Sequence, residues 1–288
     1  MKPIILTDAS CDLPLDYIEE NDIQHLGLTY YLKGKYYEDD FGKSVSYREF
    51  YDALRAGELP FTSQINEYRF TEKFKELLKY ERPIVYIGMS SGLSGTINSA
   101  RLARNSVISG NKNADITVID TKCASLGQGL LVIKAAKMRD EGYCADEIKK
   151  CINANMTKMS HWFLVEDLTH LKRGGRISAA TAAVGSFLDI KPILYLTEEG
   201  TLKKISNARG KKKALRFLAE KFKQNAPKYE KQVVAVSHGD CVEDALYLKN
   251  ILMKEDNVKA VIVNELGAGL GSHCGQGLVS VFFIGNNR

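Results

Sequence analysis

No run of apolar residues in this 288-residue chain approaches the ~20 positions a membrane-spanning helix needs, so no integral membrane segment is expected. The opening Met1-Lys2-Pro3-Ile4-Ile5-Leu6 passes directly into Thr7-Asp8, which leaves no apolar core for a secretory signal. Cysteine is sparse and scattered: Cys11, Cys123, Cys144, Cys151, Cys241 and Cys274 form no CxxC pair and no Cys/His spacing of the zinc type. A cytoplasmic protein with reduced thiols and no bound metal is the expectation. A strong charge of one sign is also missing. Forty Lys and Arg against 35 Asp and Glu leave +5, too small an excess to imply nucleic acid. Phosphate-binding signatures are absent too. No G-x-x-x-x-G-K-[ST] occurs, and the glycines of residues 267–277 do not fall as G-x-G-x-x-G ahead of a helix, so neither ATP nor NAD is implied and no cofactor is expected.

What remains is an ordinary globular composition, 44% hydrophobic and 26% charged, long enough for one large or two ordinary domains. Short β-branched runs at residues 3–6, 23–32, 83–88 and 115–120 alternate with helical patterns at 47–55, 71–79, 97–104 and 127–141. Such βα alternation predicts a parallel sheet with helices on its faces. Past a further helix at 145–155 the pattern changes. Strands are expected at 161–165, 192–196, 232–237, 259–266 and 278–284, with helices at 168–172, 211–222 and 242–253. These readings place a domain boundary near residue 158, giving α/β units 1–158 and 159–288.

The polar loops carry the chemistry. Met89-Ser90-Ser91-Gly92-Leu93-Ser94-Gly95-Thr96 lies between a buried strand and a helix, where free backbone N–H groups and hydroxyls gather at a positive helix terminus. That suits a phosphate or a carboxylate; equally, Ser94 or Thr96 can be a plain helix cap. Phe61-Thr62-Ser63-Gln64, with Asn66-Glu67 behind it, reads as a polar loop opening a helix. Lys172-Arg173-Gly174-Gly175-Arg176 is either a solvated turn or a place where guanidinium meets an anion. The basic stretch at 203–213 lacks the interleaved aromatics of an RNA site and reads as a solvated helix face. Gly92-Leu93-Ser94-Gly95-Thr96 misses a G-x-S-x-G nucleophile elbow by one residue, which leaves a serine hydrolase or acyl transferase using Ser94 and His273 as the alternative function.

In order along the chain these segments resemble the DegV family of bacterial fatty-acid-binding proteins. Thr7-Asp8-Ala9-Ser10-Cys11-Asp12-Leu13-Pro14 matches its TDS-x-x-DLP opening, with Ala9 in place of serine. Thr62-Ser63-Gln64 matches TSQ, and Ser91 to Thr96 matches SGLSGT. Asp120 with Ser125-Leu126-Gly127-Gln128-Gly129, Gly174-Gly175-Arg176-Ile177-Ser178, Lys191-Pro192-Ile193-Leu194, Arg209, His238-Gly239-Asp240 and Gly271-Ser272-His273 complete the set. Two departures lie beside proposed site residues. Ile65-Asn66 stand where the family often has Pro-Ser, and His273-Cys274-Gly275-Gln276-Gly277 where it usually has H-T-G-P-G.

The resemblance implies two α/β domains with a lipid pocket between or beneath them. It also implies binding of one long-chain fatty acid, no catalysis by this chain alone, and a fatty acid kinase as the ATP-binding partner that converts the bound acid to acyl phosphate. The carboxylate is then expected at Thr62, Ser63, Ser94, Gly95 and His273. These are short neutral donors that leave the oxygen nucleophilic. Arg176 and Arg209 are expected near the mouth, facing the kinase or the phosphate. The small residues of 179–188 are the candidate tunnel wall.

Overall fold

A computed structural model describes residues 1–179 and 189–286. Strands β1 (Ile4–Asp8), β2 (Gln24–Leu26), β6 (Ile84–Gly88) and β7 (Ile116–Asp120) form a parallel sheet in the order β2-β1-β6-β7. Every residue of β1 and β6 is buried, as a parallel strand covered on both faces must be. Alternate side chains go to opposite faces. Ile4, Leu6, Ile84 and Tyr86 meet helices α3 (Glu67–Leu78) and α4 (Thr96–Gly110), while Ile5, Val85 and Ile87 meet α5 (Ser125–Asp140) and α6 (Ala145–Met156).

The second sheet has six strands in the order β10-β9-β8-β13-β11-β12. They are β8 (Met159–Leu164), β9 (Ile190–Leu196), β10 (Leu202–Arg209), β11 (Gln232–His238), β12 (Val258–Glu265) and β13 (Val279–Ile284). Only β11 and β12 pair in parallel; the other neighbours are antiparallel. One face, through Leu164, Ile193, Val281 and Phe283, is covered by α8 (Lys211–Asn225) and α9 (Val242–Leu252). The opposite face carries His161, Phe163, Ser280 and Phe282 and turns toward the parallel sheet, with α5 packed against it. A third, antiparallel sheet of order β4-β3-β5 joins β3 (Thr29–Leu32), β4 (Lys35–Glu38) and β5 (Phe61–Ser63). Helix α2 (Tyr47–Arg55), capped by Ser46 accepting from Glu49 N at 3.2 Å, shares a core with it.

The strands of the parallel sheet all precede residue 121, and the six-stranded sheet begins at Met159. The apolar interior is not divided so cleanly. Phe282 and Ala235 belong to the cluster built on Ile5 and Val85, and helix α10 (Ala268–Cys274) joins the Tyr30–Phe50 cluster of the small sheet.

Several local readings are corrected. Residues 23–32 are two strands in two different sheets, parted at Gly27, where a side chain would collide with the Asp39 carbonyl. The segment at 61–63 is an edge strand, with Thr62 opposite Tyr30, and the helix behind it starts at Glu67 with Asn66 as its cap, accepting from Arg69 N at 3.0 Å. Leu202–Arg209 is a strand at the edge of the six-stranded sheet, with Lys203 exposed and Lys204 half-buried on the other face. The glycine-rich stretch at 267–277 contains helix α10, because the approach to neighbouring side chains demands residues without Cβ. A Cβ on Gly267 or Gly269 would stand 2.9 Å from Asp12 Oδ1 or Asp39 Oδ2. Of the expected tunnel wall at 179–188, all but Ala179 lies outside the described residues.

Candidate functional site

Between the carboxyl ends of the parallel strands and the open face of the six-stranded sheet lies a cavity of about 780 Å³, measured out to its mouth. That is the topological position in which small-molecule sites occur. Most of its wall is apolar, with Leu93, Phe163, Leu196, Leu202, Leu270 and Phe282 among the lining side chains. Of the polar ones, Thr62, Gln64, Ser94, Arg176 and His273 come from loops and short elements, and Ser125, His161 and Ser280 from α5, β8 and β13.

The loop after β6 places Ser94, which is buried, with its Oγ 3.0 Å from Thr96 Oγ1 and accepting from Thr96 N at 3.3 Å. Gly95 is the N-cap of α4, so the first turn of that helix opens beside Ser94 without a side-chain cap on Gly95. A Cβ on Gly95 would run into the Gln64 amide, which itself donates to Ser99 Oγ at 3.1 Å. Ile65 N donates to Thr96 Oγ1 at 3.3 Å, a bond that proline at this position could not make.

Strand β5 and helix α10 meet at the same end of the cavity. Thr62 Oγ1 lies 2.7 Å from His273 Nε2. His273 Nδ1 is buried with no hydrogen-bond partner among the described residues, and it presses against Gly174, where any Cβ would collide with it. Burial, with Arg176 and Arg173 alongside, pushes the His273 imidazole down from 6.5 to about 4. It is therefore neutral at physiological pH and carries one N–H. With Nδ1 facing no acceptor, the hydrogen-bond pattern assigns that proton to Nε2, which donates to Thr62 Oγ1 and leaves the threonine hydroxyl free to donate into the cavity.

Two arginines frame this end. Arg176 donates from Nε to Leu93 O at 3.0 Å and lines the cavity, half-buried. Arg173 donates to Pro60 O at 3.3 Å and Ser272 O at 3.2 Å, tying β5 to α10. The far end of α10 is held by buried Asp side chains: Gly267 N donates to Asp12 Oδ1 at 2.9 Å and Gly269 N to Asp39 Oδ2 at 2.8 Å, and burial raises both carboxyls above the usual carboxylate range.

Of the residues singled out from sequence, Thr62, Ser94, Arg176 and His273 line one cavity, with Gly95 beside it. Ser63 does not join them. It is exposed on the opposite side of its strand, paired with Thr29. Arg209 does not either: it is an exposed residue opposite Ile190, about 23 Å along β10 from the cavity-lining Leu202. Arg176 reaches further in than a surface cation would. Ser94 is bonded to Thr96 and His273 to Thr62, and no carboxylate orients His273 Nδ1, so the described residues do not assemble a nucleophile–base–acid chain. Sequence reasoning missed His161, Ser125, Cys274 and Ser280 in the wall. The alternation of β8 and β13 could have put His161 and Ser280 on one face, but not which face held the cavity. Among the described residues no helix is long and apolar enough to cross a membrane, and no cluster of three potential metal ligands occurs.

Comparison with known proteins fits this geometry. Residues 2–286 match the DegV family, described as uncharacterised proteins. The chain belongs to the DegV family. A DegV domain-containing protein of Clostridium perfringens is 40% identical over 287 residues, which are 100% of this chain and 99% of that one. The solved structure of a DegV family protein from Thermus thermophilus, described for its fatty acid binding, is 30% identical with a TM-score of 0.89, over 98% of this chain and 99% of the other. A DegV lipid binding protein from Thermotoga maritima has a TM-score of 0.88 at 28% identity, with both chains fully covered. The mixed α/β architecture is thus the DegV fold across the whole length.

Proposed function

We propose that this DegV protein binds one long-chain fatty acid, with the carboxylate at the Thr62–His273–Ser94 end of the cavity and the acyl chain against the leucine and phenylalanine wall. The observation that carries the reading is the polar end itself. A mostly apolar cavity terminates at hydroxyl donors and a helix N-terminus, backed by a neutral histidine. A buried carboxylate without such donors costs several kcal/mol, and each CH₂ taken from water returns about 0.8 kcal/mol. The relatives described as fatty-acid or lipid binding support the same ligand class. With neither phosphate loop nor dinucleotide loop of its own, the chain acts as the carrier, and a fatty acid kinase supplies ATP to make the acyl phosphate. Arg176 at the mouth is the residue of this chain suited to meet the incoming phosphate.

Organic extraction of the purified protein and mass spectrometry test the ligand. An acid of roughly C16 near one per chain is expected. In titrations with a fluorescent acid, Thr62→Val and Ser94→Ala each weaken affinity about ten- to a hundred-fold, the loss of a hydrogen bond to a charged group. Unchanged affinity in the double variant would put the carboxylate elsewhere.

A further inference from the structure

We propose that the acyl cavity has a second polar subsite, the Ser280 hydroxyl, which takes a hydroxyl or keto oxygen borne part-way along the chain, so that oxygenated long-chain acids are preferred ligands. The inference rests on the fatty-acid reading and narrows its substrate class. Ser280 lines the cavity and is only 4% exposed, and its hydroxyl has no hydrogen-bond partner among the described residues. The other hydroxyls of the wall are engaged: Thr62 with His273, Ser94 with Thr96, and Ser125 with Asp12 Oδ2 at 2.5 Å and Ser237 Oγ at 3.1 Å. A hydroxyl that opens onto the cavity with no protein partner is left to be satisfied by whatever occupies the cavity.

Register shows where such an occupant sits. Ser280 is directly opposite Phe163 on β8 and Ser237 on β11. It follows Leu278 by two residues, about 7 Å along the strand, and Leu278 belongs to the apolar cluster that takes in Cys274, next to His273. The subsite is therefore set down the cavity from the carboxylate end, where a saturated chain offers only CH₂ groups and leaves Ser280 unsatisfied. Room alone does not account for serine, since alanine leaves the same space without the hydroxyl.

The test compares octadecanoic, 10-hydroxyoctadecanoic and 12-hydroxyoctadecanoic acids by displacement of a fluorescent acid from delipidated protein. At least one hydroxy acid is expected to bind about three- to tenfold tighter than octadecanoic acid, the range of a neutral hydrogen bond. Ser280→Ala should abolish that preference, with octadecanoic acid binding at least as tightly as before. Ser280→Cys, close in shape but a weak donor, should do the same and covers the case of an alanine variant that fails to fold. Hydroxy acids binding no tighter than octadecanoic acid, or a preference that survives both substitutions, would overturn the subsite. Failure of all three acids to bind is a different result: it refutes the fatty-acid reading itself, and the subsite with it.

Discussion

Acidification should expose the state of His273. Its imidazole is pushed from 6.5 to about 4 by burial first, then by Arg176 and Arg173. Between these values the unfolded chain holds a proton that the folded protein refuses, so stability rises with pH across the window. The contribution is fully present above about 6.5 and is lost as pH falls through about 4. At ~1.36 kcal/mol per pH unit the whole effect is ~3 kcal/mol, of which ~2.5 is already gone at about pH 4.5. The assay is urea unfolding of delipidated protein at several pH values, for wild type and His273→Gln. Glutamine keeps a donor for Thr62 and does not titrate. Asp39 titrates in the same range with the opposite sign, because burial raises it from 3.8 to about 6. It is present in both proteins and cancels in the difference. The wild type should lose ~2.5 kcal/mol more than the variant between about pH 7 and 4.5. Parallel curves would refute the argument that the pocket holds this imidazole neutral. Adding fatty acid should shrink the difference, since a carboxylate beside the ring favours its protonated form.

Other perturbations separate the parts of the site. Gly174→Ala drives a methyl into the His273 ring, and because Gly174 has helical backbone angles the cost arises from that collision alone. Fatty-acid affinity should fall at least tenfold, measured by titration, with a drop in melting temperature from overpacking of about 1–3 kcal/mol. Arg209→Ala should leave affinity within twofold and, at about 23 Å along its strand from the cavity, should leave acyl phosphate formation by a kinase unchanged as well. Arg176→Ala should slow that reaction at least tenfold. Equal rates for the two variants would detach Arg176 from the mouth.

Much of the parallel sheet was legible because its central strands β1 and β6 are buried on both faces and its edge strand β7 is apolar and β-branched. Ile84-Val85-Tyr86-Ile87 and Ile116-Thr117-Val118-Ile119 read as core strands whatever surrounds them. The glycine-bounded serine loop was an equally local signal. Elements stabilised by their neighbours were not legible. Phe61–Ser63 is three residues long and is a strand only because Tyr30 pairs with it, and α10 is a helix of poor formers whose glycines answer to Asp12, Asp39 and Tyr51. Ser63 and Arg209 share that cause. Each sits in a motif of the right composition, but strand alternation or strand length carries its side chain away from the cavity.

The sequence by itself determined the α/β alternation and the polar loops at the strand ends, since these follow from hydrophobic period and turn chemistry over a few residues. It also determined the absence of a phosphate loop. Which hydroxyls share a wall was decided by tertiary structure. Thr62 and His273 are 211 residues apart in the chain and 2.7 Å apart in the fold. That contact depends on Arg173 tying β5 to α10 and on buried Asp side chains holding the start of α10. The protonation state of His273 was decided there too, because desolvation and two neighbouring guanidiniums exist only once the chain has closed around the ring.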